Sequence, residues 1–253
     1  MRFMGLLIGA IGACFMMGCS DGTGPAGTGR LTLQLVGRTS ATAAPTYSAA
    51  ADVLVISSVQ VVARKIRLER AEGTCAADQA AASPGQNSRD SEGDEHAGDC
   101  AQVWLDPMLL APPVDAAAKV ILSVDLPEGR YQELKIQVHK PTDAAADATF
   151  LSANPAFQNV SVKVTGTFNG AAFTFTSALT AEVEIELEKA VEVSAATPAA
   201  MTLQVDLASW FAGEAGALLS PIEPGQQVRS QIEQNIRRSF HAFEDHDRDG
   251  HPD

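Results

Sequence analysis

The sequence predicts a mainly β protein: an antiparallel β-sandwich of eight or nine short strands with one C-terminal amphipathic helix. Three observations predict it. Apolar and polar residues alternate with a period of two in segment after segment, the pattern of strands with one buried face. Turn residues, Asn169-Gly170 above all, punctuate those segments, so the reading is a sandwich and not a βαβ fold. An apolar repeat at every fourth position stands out near the end, in Val228, Ile232, Ile236 and Phe240. The 253 residues suffice for a proper core, and a hydrophobic fraction of 45% excludes a fully disordered chain.

Residues 1–18 read as a lipoprotein signal peptide. Arg2 supplies a short positive start, an apolar stretch runs from Phe3 to Met17, and small residues close it at Gly18-Cys19-Ser20. The Gly18-Cys19 junction resembles the lipobox of bacterial lipoproteins, which implies cleavage before Cys19 and lipid on that residue. Met16 and Met17 depart from the Leu and Ala or Ser usual there. Cys14 is a competing site with a very short apolar stretch, and a plain signal peptide is the bland alternative. Cysteine arithmetic favours Cys19: cleavage there removes Cys14 and leaves Cys75 and Cys100 as a pair, whereas cleavage before Cys14 leaves an odd thiol. No later segment carries the ~20 apolar residues that a spanning helix needs. Residues 19–29 form the lipid anchor and a Gly-rich tether of at most ~35 Å, so the partner expected at this end is the membrane.

Residues 30–211 form the expected sandwich. Leu31, Leu33 and Leu35 alternate with Thr32 and Gln34 as in a half-buried strand. Val53 to Ile56 and Val59 to Leu68 make a longer β-rich run, followed by Val103 to Leu105, Val120 to Leu126 and Tyr131 to Val138. Val160, Val162 and Val164 lead through Asn169-Gly170 to Phe173 and Phe175. Both turn residues tolerate the positive φ of a type I′ hairpin. Val183, Ile185 and Leu187 alternate with Glu182, Glu184, Glu186 and Glu188, which places four carboxylates about 7 Å apart on one face. Such a row suits cations or a basic partner, although blocking edge-to-edge pairing is the commoner use of strand charges. Met201, Leu203, Val205 and Leu207 form the last strand, and Trp210 and Phe211 read as core plugs.

An acidic insertion at 76–99 interrupts the sandwich. It holds no Val, Ile, Leu, Met or aromatic residue, so burial cannot offset its ordering entropy and a disordered loop is expected. A Cys75–Cys100 disulfide would staple its base for roughly 3 kcal/mol. A zinc site from these cysteines and His96 matches no known spacing, and export favours oxidation.

Residues 212–243 are assigned to a loop and a docked helix, with Phe243 continuing the apolar stripe, and residues 244–253 to an Asp-rich tail. In that tail Asp245, Asp247 and Asp249 occupy positions 1, 3 and 5 of an EF-hand-type calcium loop, Gly250 position 6, His251 position 7 and Asp253 position 9. A tight turn aims alternate carboxylates at one point, and glycine allows the bend. The bidentate Glu of position 12 and an exiting helix are missing, so a calcium affinity of ~10⁻⁴ to 10⁻³ M is expected. The competing readings are a solvated acidic tail, or a transition metal on His241, His246 and His251.

The formal charge of −13 excludes nucleic acid as a partner, because phosphate recognition needs a basic surface. No Gly-x-Ser-x-Gly elbow, His-Glu-x-x-His, phosphate loop or dinucleotide fingerprint occurs, and no catalytic residues are assigned. His139 has no evident partner in the sequence and reads as structural or exposed.

Several segments together resemble bacterial lipoproteins of a domain-of-unknown-function family. They are Val59 to Leu68, Asp125 to Tyr131, Asn169-Gly170, Leu207 to Phe211 and Ile236 to Gly250. The Leu126-Pro127-Glu128-Gly129-Arg130-Tyr131 turn is also similar to that of transthyretin-like and carboxypeptidase-regulatory-like sandwiches, which implies a fold and no activity. The functional expectation is a lipid-anchored module of the bacterial cell envelope, on its periplasmic or outer-surface side. It is expected to bind or support without catalysis, with calcium as its one cofactor. The alternative is a carbohydrate or small-ligand binder displaying Trp104, Tyr131 or Phe175 on a concave face, and a hydrolase assembled from loops is a third class.

Overall fold

The computed structural model describes residues 27–38, 46–49, 52–71, 100–115 and 117–253. The signal peptide, Cys19, Cys75 and the insertion 76–99 lie outside the described residues, as does most of the tether.

Two β-sheets, antiparallel in all pairings but one, face each other as an open sandwich, as the alternation predicts. Twelve strands are found among the described residues, more than the eight or nine expected, because short edge pieces pair with one long strand. The four-stranded sheet has the order β12 (Phe240–Glu244), β11 (Ala199–Asp206), β1 (Thr28–Arg38), β6 (Lys119–Pro127). The eight-stranded sheet runs β10 (Ala181–Val193), β7 (Gly129–Val138), β3 (Asp52–Arg70), β8 (Val162–Phe168), β9 (Ala171–Ser177). The short strands β2 (Thr46–Ala49), β4 (Cys100–Trp104) and β5 (Met108–Leu110) also pair with β3. β1 and β11 are parallel, with Leu33 opposite Met201 and Leu35 opposite Leu203.

Local chemistry explains the turns. Asn169 and Gly170 adopt φ of 51° and 79° between β8 and β9, the left-handed pair that a type I′ hairpin demands. Pro127 and Gly129 carry the chain from β6 in one sheet to β7 in the other, and the buried Tyr131 ties this corner by donating its hydroxyl to Pro127 O at 2.9 Å. Glu69 of β3 lies opposite Cys100 of β4, so the base of the insertion is a paired strand end.

The core fills the space between the sheets. Leu31, Leu33, Leu35, Met201, Leu203 and Val205 from the small sheet meet Val61, Ile66, Ile136, Val164 and Phe175 from the large one. Trp210 and Phe211 are buried in the same cluster, as expected. α1 (Ala148–Ala153) covers the other face of the large sheet, where Phe150 and Phe157 pack on Val62.

Two expectations need correction. The helix, α2 (Gln226–Arg238), buries Ile232 and Ile236, but it ends before Phe240. Phe240 and Phe243 belong to β12, which pairs with β11, so their spacing mimicked a continued helical stripe. β1 is not half-buried: Thr32, Gln34 and Val36 on its second face are 7%, 4% and 6% exposed. Side chains that look solvated in the sequence are covered there.

Candidate functional site

The Asp-rich segment leaves the end of β12, so a strand and not a helix leads into it. Antiparallel pairing of β12 with β11 sets Phe243 opposite Thr202, and the next backbone bond, Asp245 N to Ala200 O at 3.1 Å, holds Asp245 against the small sheet. Asp245 is fully buried. Its carboxylate accepts from Thr202 Oγ1 at 2.5 Å and from two backbone amides, Asp249 N at 3.1 Å and Gly250 N at 3.0 Å. Those amides reach back because the chain reverses through Arg248 and Gly250, whose φ values are 64° and 85°. Glycine takes the second value at no steric cost.

Asp247 Oδ1 accepts from Asp249 N at 3.2 Å, and Asp249 Oδ1 from His251 N at 2.8 Å. The outcome is convergence: one oxygen each from Asp245, Asp247 and Asp249 lies within 4.8 Å of the others. Asp247 and Asp249 are open to solvent. Hard carboxylate oxygens so grouped suit calcium or magnesium better than a soft transition metal. The structure does not bring His251 and Asp253 into this group. Asp253 instead accepts from His246 N at 2.6 Å and closes the loop. Beside the loop a shallow cleft between β10 and β12 is lined by Glu186, Lys189, His241, Glu244 and Asp253, with Lys189 paired to Glu244 at 2.8 Å.

The large sheet carries two polar clusters that the linear sequence hides. His139, at the end of β7, is not partnerless: its Nε2 lies 2.7 Å from Asp147 Oδ1. Asp147 is 1% exposed, accepts from Thr142 N at 2.8 Å and stands 4.0 Å from Arg64 Nη1. Burial pushes its carboxyl up, but the Thr142 amide, His139 and Arg64 outweigh burial and hold it below the usual carboxylate value. Sequence shows only a His and an Asp eight positions apart, and a 3-10 turn at Ala145–Asp147 is what folds one onto the other.

In the second cluster Lys135 Nζ lies 2.9 Å from Glu69, 3.3 Å from Glu184 and 3.8 Å from Glu133. Burial, then a hydrogen bond with Glu69 and the charge of that neighbour, push Glu133 up to about 7. The Glu row of β10 thus meets a lysine on the adjacent strand. β10 itself ends the sheet order, the place where strand charges oppose further pairing.

Of the three aromatics considered for ligand stacking, Tyr131 and Phe175 are in the core and Trp104 is 38% exposed. No family model, curated protein or solved structure matches this chain.

Proposed function

We propose that this chain is a lipid-anchored β-sandwich of the bacterial envelope that serves as a non-enzymatic binding or structural module and holds a calcium ion in its 245–253 loop. The convergence of Asp245, Asp247 and Asp249 carries the calcium reading. Three carboxylates at that spacing repel one another, and a divalent cation between them relieves the repulsion. The lipoprotein reading rests on the apolar leader, the Gly18-Cys19 junction and the tether that follows. The membrane is its partner through lipid on Cys19, and no ligand or protein partner is assigned.

Calcium at 10 mM, with a Kd of ~10⁻⁴ to 10⁻³ M, stabilises the fold by about 1.4–2.7 kcal/mol. Thermal unfolding of the chain lacking residues 1–19 is expected to shift upward by several degrees with calcium. Asp249→Ala abolishes the shift. An unchanged melting temperature in the parent protein overturns the calcium assignment. The address has its own test: Cys19→Ala should move the protein from the membrane to the soluble fraction of expressing cells.

A further inference from the structure

The covered face of the small sheet holds a polar side chain that the fold leaves unsatisfied. Gln34 is 4% exposed, and its amide nitrogen is sealed from solvent without a hydrogen-bond partner. A buried donor left so costs about 1–3 kcal/mol, and its surroundings should explain it. Gln34 lies directly across from Thr202 in the parallel β1–β11 pair. Thr202 gives its hydroxyl hydrogen to Asp245 Oδ2. Two residues further along the same face, Val36 meets the loop again: a Cβ on Gly250 would stand 3.4 Å from Val36 Cγ2. The Asp245–Gly250 bend therefore touches both neighbours of Gln34, and strand register sets the buried, unpaired amide on the face that this bend covers.

We infer that Gln34 is a further ligand of the calcium ion held by this loop, binding through its side-chain carbonyl oxygen. The inference rests on the calcium reading above and extends the site from the loop to β1. A half-turn about the last side-chain bond exchanges the amide oxygen and nitrogen, and only hydrogen bonds fix which way the group lies. Gln34 nitrogen has none to lose, so the exchange costs no bond and puts an acceptor where the unpaired donor sits. Calcium takes six to eight oxygens, Gln carbonyls among them, and three converging aspartates supply only part of that shell. A neutral carbonyl completes coordination without adding a fourth negative charge to the cluster. Such a role accounts for a glutamine on the covered second face of β1, between Thr32 and Val36.

The test is calorimetric titration of the full chain in detergent with calcium alone, for the parent, Gln34→Met, Gln34→Glu and Asp249→Ala. Gln34→Met keeps the side-chain length and removes the oxygen. It is expected to weaken calcium binding at least tenfold, while its unfolding midpoint in chelator stays level or rises because the orphaned donor is gone. Gln34→Glu supplies a charged oxygen and is expected to bind calcium more tightly than the parent. Parent-like affinity in Gln34→Met, or unchanged or weaker affinity in Gln34→Glu, overturns the role of Gln34 and leaves the aspartate site standing. A parent protein that takes up no calcium, or an Asp249→Ala variant that binds like the parent, overturns both.

Discussion

Two carboxyl groups, Glu133 on the large sheet and Asp147 in the 3-10 turn beside it, are shifted in opposite directions, and each shift predicts its own dependence of stability on pH. Glu133 is raised from 4.5 to about 7, so the folded state holds its proton more firmly than the unfolded chain. Its contribution is complete below the unfolded value of 4.5 and is lost as pH rises through about 7. Glu133→Gln removes that loss. The variant should match the parent near pH 5 and exceed it by roughly 1–2 kcal/mol at about pH 8.5 in urea unfolding, less than the full shift because the site is partly open to water. Asp147 behaves the other way. Its folded value lies below the ordinary 3.8, so its contribution is complete above that value and fades as pH falls below it. Asp147→Asn weakens the contacts to His139, Thr142 and Arg64 and should cost about 1–2 kcal/mol at pH 7. In acid the gap closes, and a gap of equal size at pH 7 and about pH 3 would refute the ionic account.

At the scale of the element, backbone geometry decides what the turns and strands tolerate. Gly170 sits at φ 79° with open space around a hypothetical Cβ, so Gly170→Ala meets only the left-handed penalty of about 1–2 kcal/mol. Gly166, inside β8, would set its Cβ 1.9 Å from Val55 O on β3. No side chain can move aside there. Gly166→Ala forces the two strands apart and should cost clearly more than Gly170→Ala; denaturant midpoints that rank them the other way contradict this packing. The hairpin at Asn169-Gly170 was legible in the sequence because its signal is local: two residues, one backbone conformation. The alternating runs of β8, β9 and β10 were legible for the same reason. The helix boundary was not, because Phe240 and Phe243 keep helical spacing while Phe240–Glu244 pairs with β11. The His139–Asp147 contact and the burial of Thr32 and Gln34 depend on which segment lies over which sheet, and periodicity carries no such information. The candidate site was half legible. The Asp-x-Asp-x-Asp-Gly spacing named three residues that do converge, whereas His251 and Asp253 remain outside the group.

At the scale of the molecule, the small sheet is held by segments far apart in sequence. β1 lies between β6 and β11, and β12 closes the edge beyond β11. The large sheet gathers seven of its eight strands from β2 to β9, and it keeps its own cover in α1 on the face away from the shared core. The 245–253 loop gives the small sheet part of its cover: Asp245 on Thr202 and Ala200, Gly250 beside Val36. Removing that loop takes the buried Asp245 carboxylate away from Thr202 and opens the second face of β1 and β11 to water. The damage should be local, because the facing core of Leu31, Leu33, Leu35, Met201 and Leu203 against the large sheet is untouched. Deleting residues 245–253 is therefore expected to lower the melting temperature by several degrees and to raise amide exchange in β1, β11 and β12, while β3, β7 and β8 keep their protection. Calcium should slow exchange in the same three strands of the intact chain. Exchange that changes evenly across both sheets, or only within the loop, would show that the loop is an appendage and not a strap across the small sheet.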